Sequence, residues 1–348
     1  MVGAGLIGLT TAVSLAERGV SVTLIGQHRP GEASPAAAGM LAPSVERASG
    51  PAHDFGIAAR DRFPSYVDFL ADRTGISVPL NRLGILQVAL SAKGIKGLRK
   101  SALATSRWLD PKELGELEPA LAHGLGAMFN PDDGAIDNVV LLNALQRMVS
   151  SSDRIKRVHD VVTAIDADTD SCAVKAISRA SYSARRVVLA AGAWAGEIPG
   201  ARFARAVEPV RGQLVSYSSV PLRHVAYGPR GYVVPRGDHT IGGSTMENVG
   251  FDATTTPDGV RKVRAASEEI CPGLALSERS NASARLRPVT PDMLPMIGPN
   301  TERPSLIYAC GHSRNGVLMA PLTGDIIADL VTGTPLSHDL SQFRPDRF

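Results

Sequence analysis

Cysteine is scarce in this chain. The 348 residues include three, Cys172, Cys271 and Cys310, widely separated and without a C-x-x-C pair, so neither a disulfide framework nor a zinc site is expected. They read as small buried apolar residues of a protein kept in a reducing cytoplasm. Also missing are an apolar run of roughly 18 residues or more and a basic segment leading into a cleavable hydrophobic one, so no membrane association is expected. Charge of one sign is not in excess either: 37 Lys and Arg against 34 Asp and Glu leave a formal net charge of +3. The charges are interspersed without a basic stripe, which argues against nucleic acid as a partner. With 44% apolar residues, the chain can bury a large core, expected as two intimately joined domains.

What is present begins at the third residue. In "MVGAGLIGLTTAVSLAERGVSVTLIG", Gly3, Gly5 and Gly8 have the spacing G-x-G-x-x-G, which permits a tight turn, close approach of backbone to a pyrophosphate, and tight packing of helix on sheet. Leu6 to Arg18 carries apolar residues at helical spacing and ends at Gly19, and residues 20–25 read as a buried parallel strand. Three glycines alone could be an ordinary turn; followed by helix and strand they make most of a βαβ unit with a helix N-terminus aimed at an anion. Two parts of the pattern are absent. The acidic residue expected on a ribose hydroxyl after the second strand is replaced by Gly26 and Gln27. Only Met1 and Val2 stand where a first strand of roughly five residues belongs, so the neighbouring strands are expected to lack a ladder partner. The natural protein is therefore expected to start several residues upstream.

Residues 26–45 form a loop of small residues that could lie against a flat ligand. The pattern is helical from 53 to 76 and again over 139–149, while 84–90 and 185–196 contain apolar strands. From 207 to 246 the chain is strand-rich, with a hairpin across Arg236 to His239. The strand 305–310, the turn "GHSRNG" and a helix from Val317 to about Val331 close the chain. Cofactor-type segments thus lie at both ends and near 185, with substrate-type strands between them. The site is expected at the junction of two domains.

The motifs "GAGLIGL", "ASPAAAGMLAP", "GAWAG", "PVRGQL", "RLRPVTPDMLPMIGP", "GHSRNGVLMAP" and "FRPDRF", taken in order, resemble the flavin-dependent D-amino-acid oxidase family, most closely its glycine oxidases of thiamine biosynthesis. The resemblance runs from residue 3 to the end. It implies an α/β fold: a discontinuous dinucleotide-binding FAD domain (1–50, 139–206 and 290–348) interleaved with an α+β, antiparallel-sheet substrate domain (51–138 and 207–289). It places Leu6 and Ile7 with Gly3, Gly5 and Gly8 at the FAD pyrophosphate turn and Gly26 and Gln27 near the adenosine ribose. Ala33, Ser34, Ala38, Gly39 and Met40 would line the flavin, and Val162 would contact the adenine through its backbone. Arg287 would hold the substrate carboxylate, Arg314 would lie beside substrate and flavin, and Tyr232 and Met246 would wall the pocket. Glycine oxidases often carry a histidine two positions before that tyrosine. Arg230 stands here instead, which leaves the size and charge of the substrate open.

Residue chemistry agrees with this picture. A planar guanidinium matches two carboxylate oxygens, but Arg285 and Arg287 would point the same way on a strand, so periodicity does not choose between them. No acidic residue is obviously placed as a general base, which favours hydride transfer over carbanion chemistry. In the last turn, His312, Ser313, Asn315 and Gly316, with Val317 and Leu318 in the first turn of the helix, offer backbone N–H groups and a positive dipole end to reduced flavin. The expected reaction is FAD-dependent oxidation of glycine or another small amino acid, with O2 as acceptor, giving H2O2 and an imine that hydrolyses to an oxo acid and ammonia. Other readings are a broader D-amino-acid or sarcosine-type oxidase, a catalytically inactive flavin-binding protein and, less well supported, a nicotinamide dehydrogenase. Whether copies of the chain form a homo-oligomer is left open.

Overall fold

A computed structural model describes residues 1–46, 48–277 and 280–348. Its first sheet runs, in spatial order, through strands Ile155–Val158, Val22–Ile25, Val187–Leu189, Leu306–Cys310 and Met296–Pro299, all parallel except the last. Alternating residues of these buried strands divide between two cores. Leu24, Val188 and Ile307 pack with helices Leu6–Glu17, Asn138–Ser151 and Gly316–Thr332 on one face. Ile25, Leu189 and Tyr308 face the meander of strands Val162–Ala167, Cys172–Ala176 and Ser181–Ala184 on the other.

Val2 stands at the centre of this sheet. It bridges in parallel to Leu189 on one side and Ile25 on the other. Its N–H donates to Val188 O at 2.8 Å, its carbonyl accepts from Ala190 N at 2.7 Å, and Ile25 N donates to Met1 O at 2.9 Å. At the rungs next to the glycine turn, the neighbouring strands therefore do have a ladder partner, contrary to expectation.

The second sheet has eight strands in the order Ser280–Val289, Glu208–Tyr217, His239–Gly243, Tyr232–Arg236, Val225–Tyr227, Ile85–Val88, Ala127–Asn130 and Arg107–Leu109. Its pairs are antiparallel except for Val225–Tyr227 with Ile85–Val88. One face packs Val215, Tyr217 and Val233 against helix Pro257–Ile270, which starts at Thr256, whose hydroxyl accepts from Gly259 N. Leu214, Tyr232 and Val234 form the opposite face. The hairpin joins Arg236 to His239 as expected.

Elsewhere, the structure differs from the sequence reading in detail. The strand expected at 20–25 begins at Val22. The helical stretch 53–76 is two helices, Pro51–Asp61 and Phe63–Thr74, because Pro64 has no N–H to continue the first. The small-residue loop folds into a 3-10 turn Ser34–Ala36, a strand Met40–Leu41 and a short helix Pro43–Glu46.

A Cβ built on Gly8 would lie 2.0 Å from Gly3 O, so Gly8→Ala must push the first helix off the turn. Overpacking of this kind costs ~1–3 kcal/mol, and chemical denaturation should show a loss of that size. A variant as stable as the parent would refute the contact.

Candidate active site

A cavity of about 840 Å³ runs between the two sheets. At one end is the glycine turn. Gly3 has φ +102°, and a Cβ there would sit 2.2 Å from Ala190 O, so only glycine lets these backbones meet. Gly5 precedes the helix without a side-chain cap, leaving first-turn amides for an anion. One of them is taken: Leu6 N donates to Ser34 Oγ at 3.0 Å. Gly26, Gln27 and Val162 line the same end. Glu32, five positions beyond Gln27, also lines it. Its carboxylate accepts from Arg29 N at 2.9 Å and meets His28 Nδ1 at 3.1 Å. The Arg29 guanidinium lies 4.5 Å from the Trp194 ring centroid, and Trp194 stacks with Phe251.

The middle of the cavity is a bed of small residues, including Ala33, Ser34, Ala38, Gly39 and Met40. Gly39 has φ +74°, and a Cβ there would meet Ile136 O at 2.0 Å. The bed is held from below: Arg236 donates to Ala38 O at 2.8 Å, and Asn138 Nδ2 to Ser34 O at 2.6 Å. Burial lowers the pKa of Arg236.

The far end gathers Arg287, Arg314, Tyr232 and Met246. The Arg287 guanidinium lies over Gly212, where a Cβ would come within 2.1 Å of it. It donates to Thr245 O at 2.9 Å and Ser244 Oγ at 2.8 Å. Arg314 is ion-paired to Glu46, whose other oxygen accepts from the Tyr227 hydroxyl at 3.2 Å. Burial, and then the Glu46 carboxylate, keep that hydroxyl protonated well above the usual tyrosine range. Helix Pro43–Glu46 is itself pinned by Asp133, which accepts from Ser44 N and Oγ and from Arg60. Tyr232 is buried, whereas Met246 is 48% exposed, so the methionine forms a rim rather than a closed wall. Arg230 pairs with Glu269 at 2.7 Å.

In the last turn, Ser313 has φ +48° and its N–H donates to Pro288 O at 2.9 Å, while Asn315 N donates to His312 O. Those two amides are spent within the protein, contrary to the expectation that the whole turn serves a ligand. The cavity faces the start of helix Gly316–Thr332, which has no side-chain cap. His312 is buried with Nε2 3.2 Å from Thr323 Oγ1. Gly8 and Leu318 do not line the cavity: Gly8 serves helix packing, and Leu318 lies in the core. Sequence reasoning missed Glu46, Tyr227, Glu32 and Trp194. No local pattern pointed to Glu32, which lies five positions beyond Gln27.

The family described as FAD dependent oxidoreductase matches residues 1–330. The chain belongs to that family. It is 33% identical to the bifunctional protein ThiO/ThiG of Synechocystis sp., covering 100% of this chain and 53% of that protein. The chain thus spans about half the length of such relatives. It is 32% identical to glycine oxidase from Geobacillus kaustophilus, covering 99% of this chain and 95% of that one. The crystal structure of glycine oxidase from Geobacillus kaustophilus superposes with a TM-score of 0.92 at 30% identity, covering 100% and 97% of the two chains. The family cofactor, FAD, fits the cavity. Glycines stand where a Cβ would distort the turn and the bed, and an uncapped helix start opens at each end.

Burial lowers the pKa of His312 from 6.5 to about 3, so it is neutral in the native protein. Between these values the unfolded chain binds a proton that the native one refuses, and stability therefore falls as pH drops, by up to about 1.4 kcal/mol per pH unit. Above pH 6.5 the histidine contributes no slope. Urea midpoints of His312→Gln should lose less between pH 6 and 4 (roughly the same interval) than those of the parent. Equal losses would show that His312 does not titrate as described.

Proposed function

We propose that the protein oxidises glycine, or another small amino acid, to the imine with O2 as acceptor, releasing H2O2. The observation that carries this reading is the Arg287 guanidinium laid over Gly212 on the cavity wall, held by an uncharged hydroxyl and carbonyl. A cation so held keeps its full charge for a substrate carboxylate. Bound FAD supplies the hydride acceptor and, through its reaction with O2, the peroxide. The α C–H bond breaks with its electron pair leaving as hydride, the C=N bond forms as nitrogen loses a proton, and water then releases ammonia and the oxo acid.

Glu46 orients Arg314 at the edge of the cavity, and Tyr232 and Met246 bound the side-chain space. A neutral, buried His312 serves the turn and not as a base, which agrees with an amine arriving unprotonated. In this reading residues 1–50, 139–206 and 290–348 hold FAD, and 51–138 and 207–289 shape the substrate pocket. The site residues keep the roles assigned by resemblance, with Gly8 and Leu318 acting through packing. Likeness to ThiO/ThiG supports a place in thiamine biosynthesis, where the imine feeds thiazole formation. Three buried free cysteines agree with a reducing cytoplasm.

Glycine added to the FAD-loaded protein under anaerobic conditions should bleach the flavin absorption, and air should restore it with formation of H2O2. A spectrum unchanged by glycine, sarcosine or D-alanine would refute the proposal. Arg287→Ala should retain FAD and raise KM for glycine steeply, losing ~1.5–3 kcal/mol of transition-state binding. A kcat/KM within about threefold of the parent would place the carboxylate clamp elsewhere.

A further inference from the structure

Strand Ser280–Val289 brings a second arginine to the same wall. In its pairing with Glu208–Tyr217, Arg285 lies opposite Gly212 and Arg287 opposite Val210, so both arginines leave the sheet on the cavity face. Both line the cavity. The Arg287 guanidinium leans over Gly212, the residue directly across from Arg285, and so toward its neighbour rather than away from it. The two roots are ~6.8 Å apart along the strand.

Their charges are not neutralised from within. Among the described residues, Arg287 is held by Thr245 O and Ser244 Oγ, and Arg285 by Ala284 O at 2.6 Å, with no carboxylate on either. Two other described arginines at this end differ: Arg314 has Glu46 and Arg230 has Glu269. Two like charges side by side in a half-buried wall repel each other. One carboxylate relieves one of them, and glycine brings only one.

From this we infer that the pocket is built for an amino acid carrying a second anionic group, with Arg287 taking the α-carboxylate and Arg285 the second anion. The inference rests on the proposed amine oxidation, whose redox step is unchanged. It concerns which amine enters. Arg285 would then set specificity, favouring a dianionic substrate over a monoanionic one of equal size.

The test separates binding from turnover. The FAD-loaded protein is titrated with oxydiacetate and with ethoxyacetate, two unreactive ethers of similar size that differ in the second carboxylate, and the flavin absorption is followed. Oxydiacetate should bind about tenfold tighter or more. In Arg285→Gln the ratio should fall toward one, and Arg285→Lys should keep much of it. In turnover, N-carboxymethylglycine should exceed N-ethylglycine in kcat/KM by a similar factor, and Arg285→Gln should remove that advantage. The inference is overturned by equal binding of the two ethers, by a preference that survives Arg285→Gln, or by a monoanionic amine that turns over as well as its dianionic counterpart. It is also overturned by an Arg285→Gln protein that loses FAD affinity in step, which would assign the guanidinium to the cofactor. If oxydiacetate is preferred through Arg285 but no amine yields peroxide, the oxidase reading fails and the dianion site stands. Peroxide from glycine without any dianion preference gives the reverse.

Discussion

The site depends on three backbones meeting without side chains between them. Gly3 touches Ala190 O, and Gly8 touches Gly3 O, each closer than any Cβ could allow. That stack sets the first helix directly on the turn and the turn directly on the next strand. Because Val2 is bonded to strands on both sides, the stack is continuous with the centre of the sheet. An anion in front of Gly5 therefore faces amides whose positions are fixed by the core. Gly39 repeats the device against Ile136 O, so the small-residue loop is seated directly on the backbone beneath it.

The rest of the cavity is governed by how each arginine is balanced. Arg236, buried below the bed, rests on the carbonyls of Ala37 and Ala38 and stiffens the loop at the cost of desolvation. Arg314 is matched by Glu46, itself fastened through a helix that Asp133 anchors. Arg211 binds Glu247 at 2.6 Å and Asp252 at 2.6 Å, and so straps the two ends of the loop that follows Met246 and carries Phe251. Among the described arginines at this end, Arg285 and Arg287 face the cavity with uncharged partners. Among the described residues, the electrostatic asymmetry of the cavity wall lies in that pair.

Short-range features were legible in the sequence because their causes are local. The G-x-G-x-x-G spacing, the helix that follows it, the Arg236–His239 hairpin and the apolar strands each arise from neighbouring residues, through backbone freedom at glycine and side-chain periodicity. The family resemblance then arranged these pieces in the right order, and FAD followed with it. The ladder partner beside the glycine turn was missed because spacing counts residues and does not count the hydrogen bonds that Met1, Val2 and Gly3 make there.

Tertiary structure decided what depends on partners distant in the chain. Glu46 and Arg314 are 268 positions apart, and no local pattern connects them. The Arg287 guanidinium comes to lie over the bare Gly212, which strand register places opposite Arg285. His312 is neutral because burial removes the water that would stabilise its charge, and the amide of Ser313 is lost to the ligand because Pro288 reaches it first. By itself the sequence determined which segments become helix, strand and phosphate turn, since those follow from the chain's own dihedral preferences and apolar period. The charge state and partner of each side chain in the cavity were decided only when two sheets closed over it, because desolvation and pairing are properties of the surroundings and not of the residue.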